Sequence, residues 1–286
     1  MNTRSSHSTC LGLLALGALV LTPACKKEQE TTNPDEVETA AEGGDETPEE
    51  TPEVDALPEQ EPDPEEIAAL YQRYLQGDYE AVRQEADALR EGLTADTQIR
   101  ARALASSLAA LAAAESVPED GKATSEQAVA DGERLDDAEV RQLALIAHAT
   151  YLVRVHEAAA GQAELESALE LGGPYASLNQ LMLAEAHLNQ AFGVGEEDSQ
   201  LKHPERLDDA KLAYEAAIDG STPILAGHAH EGLAAIAKYQ RETELICEHA
   251  QKAEDVYAAE GATDYIREVP SLLANDARCK DFKKAE

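Results

Sequence analysis

The chain has 286 residues with 57 acidic against 23 basic side chains, a formal net charge of −34, no tryptophan and only two phenylalanines. So acidic a surface repels polyphosphates and anionic headgroups, because binding either depends on neutralising them with Lys or Arg; nucleic acid is therefore excluded as a partner. All nine tyrosines and both phenylalanines follow residue 70, which places the core in the C-terminal three quarters.

The first segment has a basic start at Arg4, an apolar or glycine run of twelve residues from Cys10 to Leu21 (CLGLLALGALVL), and the small-residue exit Thr22-Pro23-Ala24. A spanning helix needs about 20 apolar residues, so residues 1–24 read as an export signal, cut after Ala24. Leu21-Thr22-Pro23-Ala24-Cys25 resembles the lipobox of bacterial lipoproteins, although its Leu stands four residues before the cysteine instead of three. Ordinary signal cleavage fits the same bond but leaves an unpaired exported thiol, which acylation consumes. The resemblance implies lipidation of Cys25, a membrane anchor whose several acyl chains each bury methylenes at ~0.8 kcal/mol apiece, and, with Lys26 next, sorting to the outer membrane with the folded part in the periplasm.

From Glu28 to Pro64 there are fifteen acids, six prolines, no base and no aromatic residue. Such a stretch cannot bury enough surface to offset the entropy of ordering, and residues 25–64 are expected to be a disordered acidic linker reaching about 33 Å as a coil and up to roughly 115 Å when extended.

Beyond residue 64 the apolar positions recur at three and four, and no segment alternates at two. Glycine and proline breakers cut the chain into helices expected near 65–76, 78–91, 95–115, 122–134, 136–158, 161–171, 175–192, 203–219, 223–240, 242–260 and 270–284. Asp78 and Ser271 are expected at caps or early turns, and Pro223 and Pro270 in first helical turns. The fold class is all-α, with helical hairpins repeating every 34 to 47 residues in one domain over 65–286.

The window LDDAKLAYEAAIDGSTP, Leu207 to Pro223, resembles the second helix of a tetratricopeptide repeat: Ala210, Tyr214 and Ala217 follow the small–aromatic–small spacing, and Pro223 closes it. Leu183-Ala184 with His187 resembles the first helix, and Gly77-Asp78-Tyr79 followed by Ala81-Val82 and Ala88-Leu89 resembles the turn, with Glu85 where an aromatic is common. Gly232-Leu233-Ala234 with Ala250 and Ala253 is a weaker match. The resemblance implies an α–α superhelix in which small residues let paired helices approach and stacked repeats bury a face that none could bury alone. It further implies a concave groove for a peptide or protein of the cell envelope, into which Glu185 and Asn189 would project; the alternative for charged faces is plain solvation.

Four cysteines are present; with Cys10 and Cys25 assigned to the signal and the lipid, Cys247 and Cys279 remain, and an exported protein meets an oxidising compartment, so they are expected to pair unless each is buried as a thiol. His228 and His230, two apart, point to different faces, and His148 and His156 lie about 12 Å apart along a helix. Neither pair makes a metal site, and no metal, nucleophile–base or phosphate-loop motif is present. The sequence thus points to a tethered interaction scaffold without a cofactor and not an enzyme. A spacer lipoprotein without a groove, and a ligand-binding protein or enzyme with a pocket between repeats, are the other readings.

Overall fold

The computed structural model describes residues 57–193 and 201–284; the expected signal segment, Cys25 and the linker as far as residue 56 lie outside the described residues. Among these residues there is no strand. Eleven α-helices follow one another: α1 Glu65–Leu75, α2 Tyr79–Gly92, α3 Ile99–Ser116, α4 Gly121–Glu133, α5 Ala138–Arg154, α6 Ala158–Leu171, α7 Ala176–Phe192, α8 Glu205–Ile218, α9 Pro223–Gln240, α10 Thr243–Ala259 and α11 Asp264–Asp276.

Two layers result from composition. Helices α3, α5, α7 and α9 are rich in Ala and Leu and bury ten to fifteen residues each, whereas α2, α4, α6, α8 and α10 bury three to five. A helix apolar around most of its girth must be covered on several sides, and one with a narrow stripe on only one. Each odd helix from α3 to α7 therefore packs on its sequence neighbours and also on the next odd helix. The small residues set how close these contacts come. Tyr214 of α8 is 1% exposed, and its ring lies so flat on α9 that a Cβ added at Gly232 would fall 2.2 Å from Cζ. Ala210 and Ala217, one turn either side, are fully buried with it.

The two ends of the array meet. Thr263 N–H donates to the Gln76 carbonyl at 2.9 Å, the Gln76 amide donates to the Glu260 carbonyl at 2.8 Å, and the Tyr79 and Tyr265 rings make an edge contact at 6.1 Å. Gly77 makes the docking possible on two counts: its φ of 85° lies in the left-handed region, and a Cβ there would come 2.7 Å from Ile266. The turn of the first hairpin thus seats on the turn before the last helix, and one apolar core runs from Ile67 to Ile266.

Five local features differ from the sequence expectation. The end of the expected linker is docked: Leu57 packs on the core, Glu61 N–H donates to the Thr97 carbonyl at 2.7 Å, the Gln60 amide donates to the Asp96 carbonyl at 3.0 Å, and Asp63 pairs with Arg100. The folded part therefore begins by residue 57 instead of 65. Helix α5 ends at Arg154 instead of 158, because His156 adopts φ 72° and Glu157 N–H turns back to the Leu152 carbonyl. The last helix starts at Asp264, after Gly261, so Pro270 is an interior residue rather than a first-turn one; it forfeits one intrahelical bond and is buried. Asp78 stands at the N-cap of α2 as expected, but its carboxylate accepts from Arg73 at 2.7 Å and makes no capping bond. Asp137 is the side-chain cap that the expectation lacked, accepting from Glu139 and Val140 N–H at 3.0 and 3.2 Å.

Candidate functional site

Inside the closed array, where a filled core would be apolar, the odd helices bring ionisable side chains to one cavity of about 40 Å³. Tyr74 and Tyr79 come from the first hairpin, Glu115 from the end of α3, Arg154 from the end of α5, Glu185 from α7, Tyr214 from α8, and His228 and Glu231 from α9. Arg154 donates to both oxygens of Glu115 at 2.7 and 2.9 Å and pairs with Glu185 at 2.7 Å. Side-chain exposures of 3% for Glu115, 17% for Glu185 and 19% for Arg154 mark this as a desolvated triad.

Beside it runs a second string of contacts. The His228 Nε2 meets the Leu75 carbonyl at 2.8 Å, its Nδ1 meets the Tyr257 hydroxyl at 3.0 Å, and that hydroxyl lies 2.9 Å from Glu231 Oε2. Tyr257 itself presses on α9 at Gly227, where a Cβ would lie 2.9 Å from the ring. The Tyr214 hydroxyl, lining the same cavity, has no hydrogen-bond partner among the described residues.

Burial dominates the electrostatics. It pushes the Glu231 carboxyl up to about 8, with Glu185 adding to the rise and the Tyr257 hydroxyl opposing it. Burial also raises Glu115, against the pull of Arg154, and lowers the His228 imidazole, against the pull of the Leu75 carbonyl. Burial works against the Arg154 charge as well, but Glu115 and Glu185 outweigh it and hold the guanidinium well above its usual range. Three carboxyls to one guanidinium is an unbalanced set for a dry interior.

The two residues expected to share a groove are separated. Glu185 lies in the interior cavity, and Asn189, one turn on, lines an outer hollow of about 310 Å³ with His156, Gln190, His203 and Arg206. Cys247 and Cys279 are joined as a disulfide with Cα atoms 5.5 Å apart, tying the residues after α11 to α10. His148 pairs with Glu164 at 2.8 Å, which holds its imidazole up, while His156 serves the turn after α5. His230 and His249 face each other with Nδ1 atoms 3.1 Å apart, and burial, then the neighbouring imidazole, pushes His230 down to about 4. Among the described residues no three His, Cys, Asp or Glu side chains are placed to hold a metal ion, and no helix is long and apolar enough to cross a membrane.

Sequence reasoning missed Glu115, Arg154, His228, Glu231 and Tyr257. A signal was there: Glu115 is the sole acid of α3 and Glu231 the sole acid of α9, and a lone carboxylate on a helix that must be covered on several sides is buried unless the helix turns that side to water. Comparison with family models, with curated proteins and with solved structures finds no match for this chain.

Proposed function

We propose that the chain is a tetratricopeptide-like helical-repeat scaffold, held at the outer membrane through an acylated Cys25, that captures a segment of another envelope protein on its inner face. The observation that carries this reading is the make-up of that face. Glu115 and Glu185 pair with one guanidinium there and Glu231 adds a third carboxyl to the same cavity, among tyrosines. Well-packed apolar residues would stabilise a permanent core at least as well. Carboxylates in excess over cations, set among aromatic rings, suit an Arg or Lys side chain of a partner, which would form charge-assisted hydrogen bonds and stack on the rings. The partner is accordingly an extended or helical peptide segment with a basic anchor.

With the cavity at about 40 Å³, such a segment enters only when the first and last hairpins part. Close helix pairing through Ala210, Tyr214 and Gly232 supports the repeat assignment, since it uses small residues and one aromatic in the way a stacked repeat requires.

Met182 gives a direct test, because the only other methionine is Met1 and Met182 lines the cavity. Purified protein carrying photo-methionine at Met182 is mixed with envelope extract and irradiated. The expected product is a discrete adduct, mapping on the partner to residues beside an Arg or Lys, and lost when Glu185→Gln is introduced. Adducts that form equally well with Glu185→Gln, or none at all, count against the scaffold reading.

A further inference from the structure

We propose that the junction between the first and last hairpins is a clasp worked by one proton shared along His228, Tyr257 and Glu231, which loosens as pH rises past neutrality and opens the inner face. Its purpose rests on the scaffold reading, but the closure itself is measured without any partner.

The proton count follows from hydrogen-bond chemistry. The Leu75 carbonyl, at the end of α1, can only accept, so His228 Nε2 carries the hydrogen of that 2.8 Å contact. With the imidazole neutral, Nδ1 is a lone pair and takes the single hydroxyl hydrogen of Tyr257 at 3.0 Å. The hydroxyl oxygen then needs a donor at Glu231 Oε2, 2.9 Å away, and only a protonated carboxyl supplies one. The mirror arrangement, imidazolium donating to the hydroxyl and the hydroxyl to a carboxylate, satisfies the same three contacts. Both hold one proton between His228 and Glu231.

Removing that proton leaves the Tyr257 hydroxyl between two acceptors with one hydrogen to give. It also leaves a bare carboxylate in a cavity that already holds Glu115 and Glu185. The groups facing it are Tyr74 and Tyr79 from the first hairpin, Glu115 from α3, Arg154 from α5, Glu185 from α7 and Tyr214 from α8, with Ile266 and Val269 of α11 apolar. Arg154 is the one cation among them and is bridged by two carboxylates already. The uncompensated charge is relieved by water, and water enters where the hairpins meet.

The direction with pH is fixed by burial. Closed, Glu231 holds its proton up to about 8; open, it returns to the ordinary value of 4.5. Burial lowers His228 when closed, from an ordinary value of 6.5. Between 4.5 and 6.5, closing releases a proton from the imidazole and takes one up at the carboxyl, and the two effects oppose each other. Between 6.5 and about 8 closing takes up close to one net proton at mid-interval and about half a proton at either end, so the closed-to-open ratio falls roughly tenfold over the whole interval. Glu115, also raised by burial, acts in the same sense wherever it titrates.

Hydrogen exchange on the full chain at pH 6.5 and 8, corrected for intrinsic rates, tests this. Peptides 74–80 and 260–266, whose Gln76–Thr263 bond exists only in the docked form, are expected to lose about tenfold of their protection across that interval, while peptide 143–153 in α5 keeps its own. Glu231→Gln, whose amide can donate to the Tyr257 oxygen at any pH, is expected to hold both docking peptides protected at pH 8. Tyr257→Phe is expected to expose them at both pH values with α5 still protected. Unchanged wild-type protection, a parallel loss in α5, or a Glu231→Gln chain that keeps the wild-type slope or is already exposed at pH 6.5 each overturns the clasp. A chain that clasps but captures nothing overturns the scaffold reading alone.

Discussion

Arg154 and Arg100 each gather carboxylates from several helices, yet they sit in opposite surroundings. The arginines are equally covered, 19% and 21% exposed, but the partners of Arg154 are 3% and 17% exposed whereas those of Arg100, namely Asp63, Asp137 and Glu139, are 27–40% exposed. Water reaches the carboxylates around Arg100 and screens them, so the rim cluster joins the linker end, α3 and α5 with little cost and little gain. The inner cluster pays desolvation on every member and is held only by its mutual pairing. Charge clusters of similar stoichiometry thus act as inexpensive glue in one place and as a conditional lock in the other.

The sharpest way to break this contrast is Arg154→Met. It leaves Glu115 and Glu185 facing each other without a cation and is expected to destabilise by about 3–5 kcal/mol, read as a fall in the urea midpoint; adding Glu115→Gln should restore part of the loss. Reducing Cys247–Cys279 gives an uncharged yardstick. The closed loop of separation 32 corresponds to roughly 3–4 kcal/mol on the chain-entropy model, so thermal melts with and without reductant should differ by that amount and be indifferent to pH between 6.5 and 8. Gly232→Ala disturbs the interior by volume alone: the Tyr214 ring has to leave a position 2.2 Å from the new Cβ, and overpacking of this kind costs about 1–3 kcal/mol. Arg100→Met, the rim counterpart of the first substitution, should cost about 1 kcal/mol and shrink further in high salt. If Arg100→Met costs as much as Arg154→Met, exposure is not what separates the two clusters.

Much of the framework could be read from the chain. Every expected helical segment overlaps one of the eleven helices, because Gly and Pro punctuate the hairpins at positions such as Gly77, Gly172 and Pro223 where the backbone turns. What was misread has a common cause. At His156 the chain breaks without a glycine, since a non-glycine residue takes the left-handed conformation and no composition signal marks it. Pro270 looks like a helix start but stands buried inside one, because the chain already turns at Gly261 and the helix begins at Asp264. The meeting of Gln76 with Thr263 joins residues 187 apart in a single sequence, and local periodicity carries no information about such pairs. For the same reason Glu185 was assigned to an open groove, when its neighbours Glu115 and Arg154 come from helices that only the closed array brings together.

The seating of residues 57–63 on the start of α3 has a mechanical consequence. Any tension arriving along the chain from before residue 57 is met by the Leu57 packing, the Gln60–Asp96 and Glu61–Thr97 bonds and the Asp63–Arg100 pair, and is passed into one of the most deeply covered helices. Helix α1 and the Gln76–Thr263 contact sit downstream of that attachment, so pulling on the chain ahead of residue 57 strains them last.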